Sequence, residues 1–316
     1  MASITPEPAT WTVSRAGTAA ASAPWPARHP PGGQRALPTS GARYVRRALR
    51  PPSLLGLAIL ALLATAGALA PWLAPYGPSE LAGRPFTPPS VAHPLGTNDV
   101  GNDVLSELLY GARVSLGIAG AVALASTALS WVIGIAAGLW RRLEGPLIAV
   151  ADLLLALPHL PLAMLVLLLA GASVTAVTAT LALLTWPAFA RIVRAQVIAV
   201  RAAPYVDAAR ALGATELRVA VRHVFPATLP LLPAKLVLSL RLALFGEATL
   251  AFLGLGDPGA KSWGTMLGWA FNDPLLFNRS AWVWWALPPA MAIAVTMLAA
   301  SWAAEPLEQA VTPARQ

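Results

Sequence analysis

Residues 201–226 read RAAPYVDAARALGATELRVAVRHVFP, a polar, arginine-bearing island between two long apolar segments. Pro204 suits the first turn of a helix, where its missing N–H costs nothing. Tyr205, Ala208, Ala209 and Leu212 then recur at i, i+3, i+4 and i+7, which predicts one apolar stripe on a short helix from Pro204 to Leu212. Gly213 follows at the place of a left-handed stop. A second run, Glu216 to Val224, sets Leu217, Ala220, Val221 and Val224 on one side and Arg218 and Arg222 on the other, and Pro226 is expected to end it. A helix this short is marginal alone. Its stripe fits a groove on a partner, the membrane surface, or a loop packed on its own protein.

Outward from this island the chain is apolar. Runs of roughly membrane-spanning length occur at about Leu54–Leu73, Val114–Trp140, Leu147–Ala170, Val174–Val193, Leu229–Leu253 and Trp282–Trp302. With 57% hydrophobic and 11% charged residues, the composition excludes an ordinary soluble domain and reads as an all-α integral membrane protein of six crossings. The absence of cysteine excludes disulfides and thiolate metal sites. His29, His93, His159 and His223 are scattered without carboxylates at ligand spacing, so no metal site is expected.

The net charge of +8 matters by position. Arg15, Arg28, Arg35, Arg43, Arg46, Arg47 and Arg50 face only Glu7 in a tail rich in Ala, Pro, Ser and Thr, which reads as disordered. Arg141-Arg142 and the central island are also basic, whereas the alternate segments are rich in acids. The positive-inside rule then places both termini and the island in the cytoplasm, and makes nucleic acid an unneeded partner. The expected organisation is a tail over 1–50, a first crossing over 51–75, and an external segment with an interfacial helix over 76–113. A core with five crossings and the loop 199–226 then spans 114–303, and 304–316 forms a cytoplasmic tail.

Two further stretches make the pattern specific. Asp207-Ala208-Ala209, Gly213 six residues after the acid, and His223-Val224-Phe225-Pro226 resemble the EAA loop of ABC-importer permeases, with Asp for the usual Glu. HPLGTNDVGNDVLSELLYGARVSL (93–116) and EATLAFLGLG (247–256) resemble signatures of the dipeptide, oligopeptide and nickel branch, with Asn102 for Arg and Ala251 for Ser. The resemblance runs from about His93 to Met297. The tail departs from it, with Glu308 at the usual arginine position. It implies a type I importer core, with Tyr205, Asp207, Ala208, Ala209, Leu212 and Gly213 forming the coupling helix and its stop. It also implies two cytoplasmic ATPase subunits, a sister permease chain and an extracytoplasmic substrate-binding protein as partners. No cofactor is expected on this chain, and no catalytic constellation or phosphate-binding loop survives inspection. In GLGDPGAKS (254–262), Ala260 separates Gly259 from Lys261.

Within the crossings, Gly134 and Gly138 offer close helix approach. Pro158 and Pro161 should break or kink the third. Arg241 and Glu247 are costly at bilayer depth and, with Pro158, are candidates for a translocation path. Lys235 is expected near the cytoplasmic end of its crossing. Asp99, Asp103 and Glu107 read as solvated carboxylates at a helix start, with Asp103 as N-cap. Trp263 and Trp269 are candidates for external docking, and Trp282, Trp284 and Trp285 for interfacial anchors. The rival reading is an ion-coupled secondary transporter or channel, against which stand the sparse intramembrane acids and the lack of a visible internal repeat.

Overall fold

The structure is a computed structural model that describes residues 51–277 and 280–311. The expected N-terminal tail lies outside them. Thirteen α-helices are present among the described residues, with no strand. They are α1 (Pro51–Ala68), α2 (Ala70–Leu73), α3 (Val104–Leu139), α4 (Arg141–Ala156), α5 (His159–Ala170), α6 (Val174–Thr185) and α7 (Pro187–Arg201). There follow α8 (Pro204–Ala211), α9 (Glu216–Val219), α10 (Phe225–Thr228), α11 (Leu232–Leu250), α12 (Trp263–Asn272) and α13 (Leu287–Val311).

Among the described residues, four helical runs are long and apolar enough to cross a membrane: Pro51–Ala68, Val104–Leu139, Glu216–Leu255 and Ala281–Ala304. Two bent pairs, α4 with α5 at 97° and α6 with α7 at 42°, make six when each pair is one crossing. The larger bend falls at Leu157-Pro158, where proline disfavours helical backbone in the residue before it.

Two expectations are corrected here. The external segment does not end in a separate interfacial helix. Asp103 is the N-cap, its carboxylate accepting from the Ser106 amide at 2.8 Å, but the helix it opens runs unbroken for 36 residues to Leu139. Nor does Pro226 end the second run. A π-helical turn at Ala220–Val224 precedes it, and proline then occupies the first turn of α10, where no amide is needed. The wider turn also resets the faces: Val219, Ala220 and Val224 are buried, while Leu217 and Val221 are exposed.

Helix α3 is the central post, packed on α11, α7, α6 and α1. Lipid is as apolar as leucine, so helices in a bilayer are held by close packing and interhelical hydrogen bonds. Both are visible on α3. A Cβ at Gly134 would lie 2.7 Å from the Ala190 carbonyl oxygen, and one at Gly138 would lie 2.6 Å from Val197, so α3 and α7 meet at backbone distance. Ser126 donates to Ser239 at 3.2 Å, and Trp131 Nε1 donates to Thr228 at 3.1 Å.

The bend between α6 and α7 shows how broken backbone is satisfied at depth. Three successive carbonyls there meet side chains from three other elements. Leu184 meets His159 Nε2 at 2.7 Å, Thr185 accepts from Lys235 Nζ at 3.1 Å, and Trp186 accepts from Ser130 at 3.0 Å. Lys235 is therefore a buried structural donor, 2% exposed.

Candidate functional site

Helix α8 sits at the end of the molecule where α3 finishes. Pro204 opens it after Ala203, and a Schellman pattern closes it. The Gly213 amide donates to Arg210 O at 2.9 Å and the Ala214 amide to Ala209 O at 3.0 Å. Gly213 has φ +85°, a conformation that a side chain disfavours by about 1–2 kcal/mol. The expected stop is thus the observed one.

A single side chain, Val206, fixes the helix from below. It is fully buried in a cluster with Trp131, Leu139, Phe189, Val197 and Val224, which draws on α3, α7 and the π-helical turn. The opposite face is open. Asp207, Ala208 and Gly213 are exposed, Tyr205 is half exposed, Leu212 is 90% exposed and Ala209 is partly buried. Tyr205 also lies against His223, with ring centroids 5.8 Å apart.

Arg210 closes the arrangement. Its Nε donates to Glu216 at 2.9 Å, and its Nη1 reaches Asp207 at 3.4 Å. Glu216 beside it raises the guanidinium pKa above its ordinary value. The turn at Gly213 is thereby bridged from α8 to α9. Asp207 already carried the resemblance, and Glu216 opens the second expected run; their link through Arg210 is not among the sequence expectations, although opposite charges six residues apart across a glycine are a legible signal.

The other candidates are dispersed. Glu247 is 2% exposed, accepts from Ser115 at 3.1 Å, and faces a small, partly open space of about 10 Å³ beside Asp257 and Ser262, room for about one water. Arg241 is partly buried on the same helix, and Pro158 is exposed at the 97° bend. Neither Arg241 nor Pro158 lines the space at Glu247.

At the far end of α3 the expectations need more correction. Asp103 and Glu107 are not solvated: both are almost fully buried. The loop 74–103 folds over them. His93 Nδ1 pairs with Asp103 at 3.1 Å, Asn98 donates to Glu107 at 3.0 Å, and Lys261 is ion-paired with Glu107. Asp99 is partly exposed, and burial raises its carboxyl pKa. Trp263 is no docking residue. It is 1% exposed, its amide donating to Ser115 at 3.1 Å and its indole to Leu108 O at 3.0 Å, which locks α12 onto α3. Trp269 does reach the surface, 39% exposed, with Lys261 over its ring. Of the expected anchors, Trp282 is exposed but Trp285 is fully buried, and Trp284 is partly buried, donating to Thr97 O at 3.3 Å.

Residues 130–313, which include α8 and every crossing from the end of α3 onward, match the family described as binding-protein-dependent transport system inner membrane component. The chain belongs to this family. The permease is 37% identical over 271 residues to a putative peptide transport system permease protein of Brucella suis, across 85% of this chain and 90% of that one. It is 35% identical over 270 residues to the dipeptide transport system permease protein DppC of Escherichia coli, covering 83% and 88%. With the di/tripeptide transport system permease protein DppC of Pseudomonas aeruginosa the identity is 35% over 268 residues, covering 82% and 86%. The permease is thus a multi-pass inner membrane protein of an ABC importer, and its all-helical architecture is the type I permease fold. Among the described residues no cluster of His, Cys, Asp or Glu is arranged to hold a metal ion.

Proposed function

We propose that this permease carries short peptides inward as one half of a translocation unit, and that α8 is where ATP hydrolysis on another chain is converted into movement. The peptide cargo follows from the relatives, named for peptide, dipeptide and di/tripeptide transport. The remaining partners are a sister permease, two ATPases below and a substrate-binding protein above. On this reading α8 and both chain termini face the cytoplasm, as the arginines at 141, 142, 201, 210, 218 and 222 favour. The chain itself contributes no catalytic residue and binds no cofactor.

One observation carries the proposal: α8 buries Val206 and, among the described residues, leaves the stripe Tyr205, Ala208 and Leu212 exposed. Alanines permit close approach, the Arg210–Glu216 bridge stiffens the exit, and α7 leads from the helix to the glycine seam on α3. A push on α8 therefore reaches the crossings through a stiff connection, biasing them between inward-open and outward-open packing.

The test is a crosslink from a cysteine at Ala208 in the assembled complex. It should reach the ATPase subunit. Ala209→Trp or Gly213→Pro should then leave the protein in the membrane and ATP hydrolysis measurable, while peptide uptake is lost. No crosslink from Ala208 to any ATPase, or full coupled uptake by both variants, would remove the assignment.

A further inference from the structure

Beside α8, but separate from its exposed stripe, lies an open groove of about 630 Å³ formed where α3 gives way to α4. Trp140, Arg141, Arg142, Leu143, Arg201 and Glu216 line it. Trp140 and Leu143 are 40% and 45% exposed, and Arg141 and Arg142 are exposed. The two carboxylates nearest these arginines are already engaged elsewhere: Glu144 is ion-paired with Arg194, and Glu216 with Arg210. Arg201 is held in place by donating to Gly138 O at 2.7 Å, one of the carbonyls left over at the end of α3. Arg141, Arg142 and Arg201 thus stand in positive excess over Glu144, which also lies near Arg141 and Arg201, and Glu216, both of them already ion-paired.

A second, independent feature points the same way. Helix α4 begins with no side-chain cap, so the amides of Arg141 and Arg142 lack the acceptor that usually closes a helix start. An uncapped helix start beside arginines favours an anion. The groove lies at the end of a membrane-crossing helix, and its exposed tryptophan and leucine provide the apolar footing a headgroup needs there.

We propose that this groove binds the phosphate of an anionic phospholipid, with Arg141, Arg142 and Arg201 around the phosphate and Trp140 and Leu143 against the glycerol and upper chain. Bound lipid would tie the entry of α8, through Arg201, to the junction of α3 and α4. The inference needs only the membrane crossing, not the import reading. Charge complementarity and the groove's place at the end of a membrane-crossing helix favour lipid over the ATPase as occupant.

The test uses the whole transporter, purified in detergent, exchanged into mixed phosphatidylcholine and phosphatidylglycerol, and weighed by native mass spectrometry. The wild type should retain phosphatidylglycerol in preference to phosphatidylcholine. Each guanidinium removed should lower retention about fivefold, hence about 25-fold for Arg141→Gln with Arg142→Gln. Arg113→Gln, outside the groove, should change nothing. Equal retention of the two lipids, or undiminished retention in the double variant, overturns the proposal. So does occupation by inorganic phosphate with no lipid preference, or a crosslink from position 142 to the ATPase in the lipid-bearing complex. The Ala208 crosslink, run on the same samples, keeps failure of the import reading separate.

Discussion

The two ends of α3 solve opposite problems. At its start, a loop of some thirty residues closes over Asp103 and Glu107, and the buried polar groups there find partners in His93, Asn98 and Lys261. At its finish, the ion pairs are partly exposed, and α8 presents more surface than it hides. The first end is a closed surface whose stability is its own. The second, on the function proposed above, is shaped for a partner.

If that contrast is right, stability should be concentrated at the first end and coupling at the second. The sharpest test is Lys261→Met, which strands Glu107 as a buried charge. It should cost about 3–5 kcal/mol, read as a large fall in the melting temperature of the solubilised complex. Adding Glu107→Leu should recover most of the loss. Next, Gly134→Val forces a side chain against the Ala190 carbonyl and should cost about 1–3 kcal/mol in the same assay. At the other end, Gly213→Ala meets open space but an unfavourable φ. It should cost about 1 kcal/mol, and uptake per ATP hydrolysed should fall more than the melting temperature suggests. Arg191→Gln breaks a pair with both partners about half exposed, at 3.2 Å, and should shift the melting temperature hardly at all, about 0–1 kcal/mol. A large melting shift for Arg191→Gln, or none for Lys261→Met, would erase the distinction between the ends.

What the sequence made legible follows the same divide. The signals around α8 are local: Pro204 fixes φ, Gly213 accepts positive φ, and the stripe repeats within one helix. Chemistry contained in ten residues can be read from ten residues. The bend at Pro158 and the glycine contacts of α3 were readable for that reason too. The errors came where distant segments decide the outcome. Nothing near Asp103 or Glu107 announces that a proline-rich loop will fold over them, so their spacing read as solvated. Trp263 follows a polar loop, GDPGAKS (256–262), and looks like an external docking residue until α3 supplies Ser115 and Leu108 O as acceptors for its two N–H groups. Pro226 looks like a terminator because a π-helical turn, which lets the chain pass it, has no short sequence mark. The lysine at 235 could not be assigned to Thr185 without knowing that α6 and α7 are bent.

The glycine seam restricts how a stroke can be delivered. Val193 and Val197, one turn apart on α7, rest in the two notches left by Gly134 and Gly138. Sliding α7 lengthwise would require both to climb out together, whereas tilting about that pair of pegs disturbs them least. Whatever pulls on the α8 end should therefore swing α7 like an oar in its rowlock, turning a small sideways displacement at one end into an opposite one at the other.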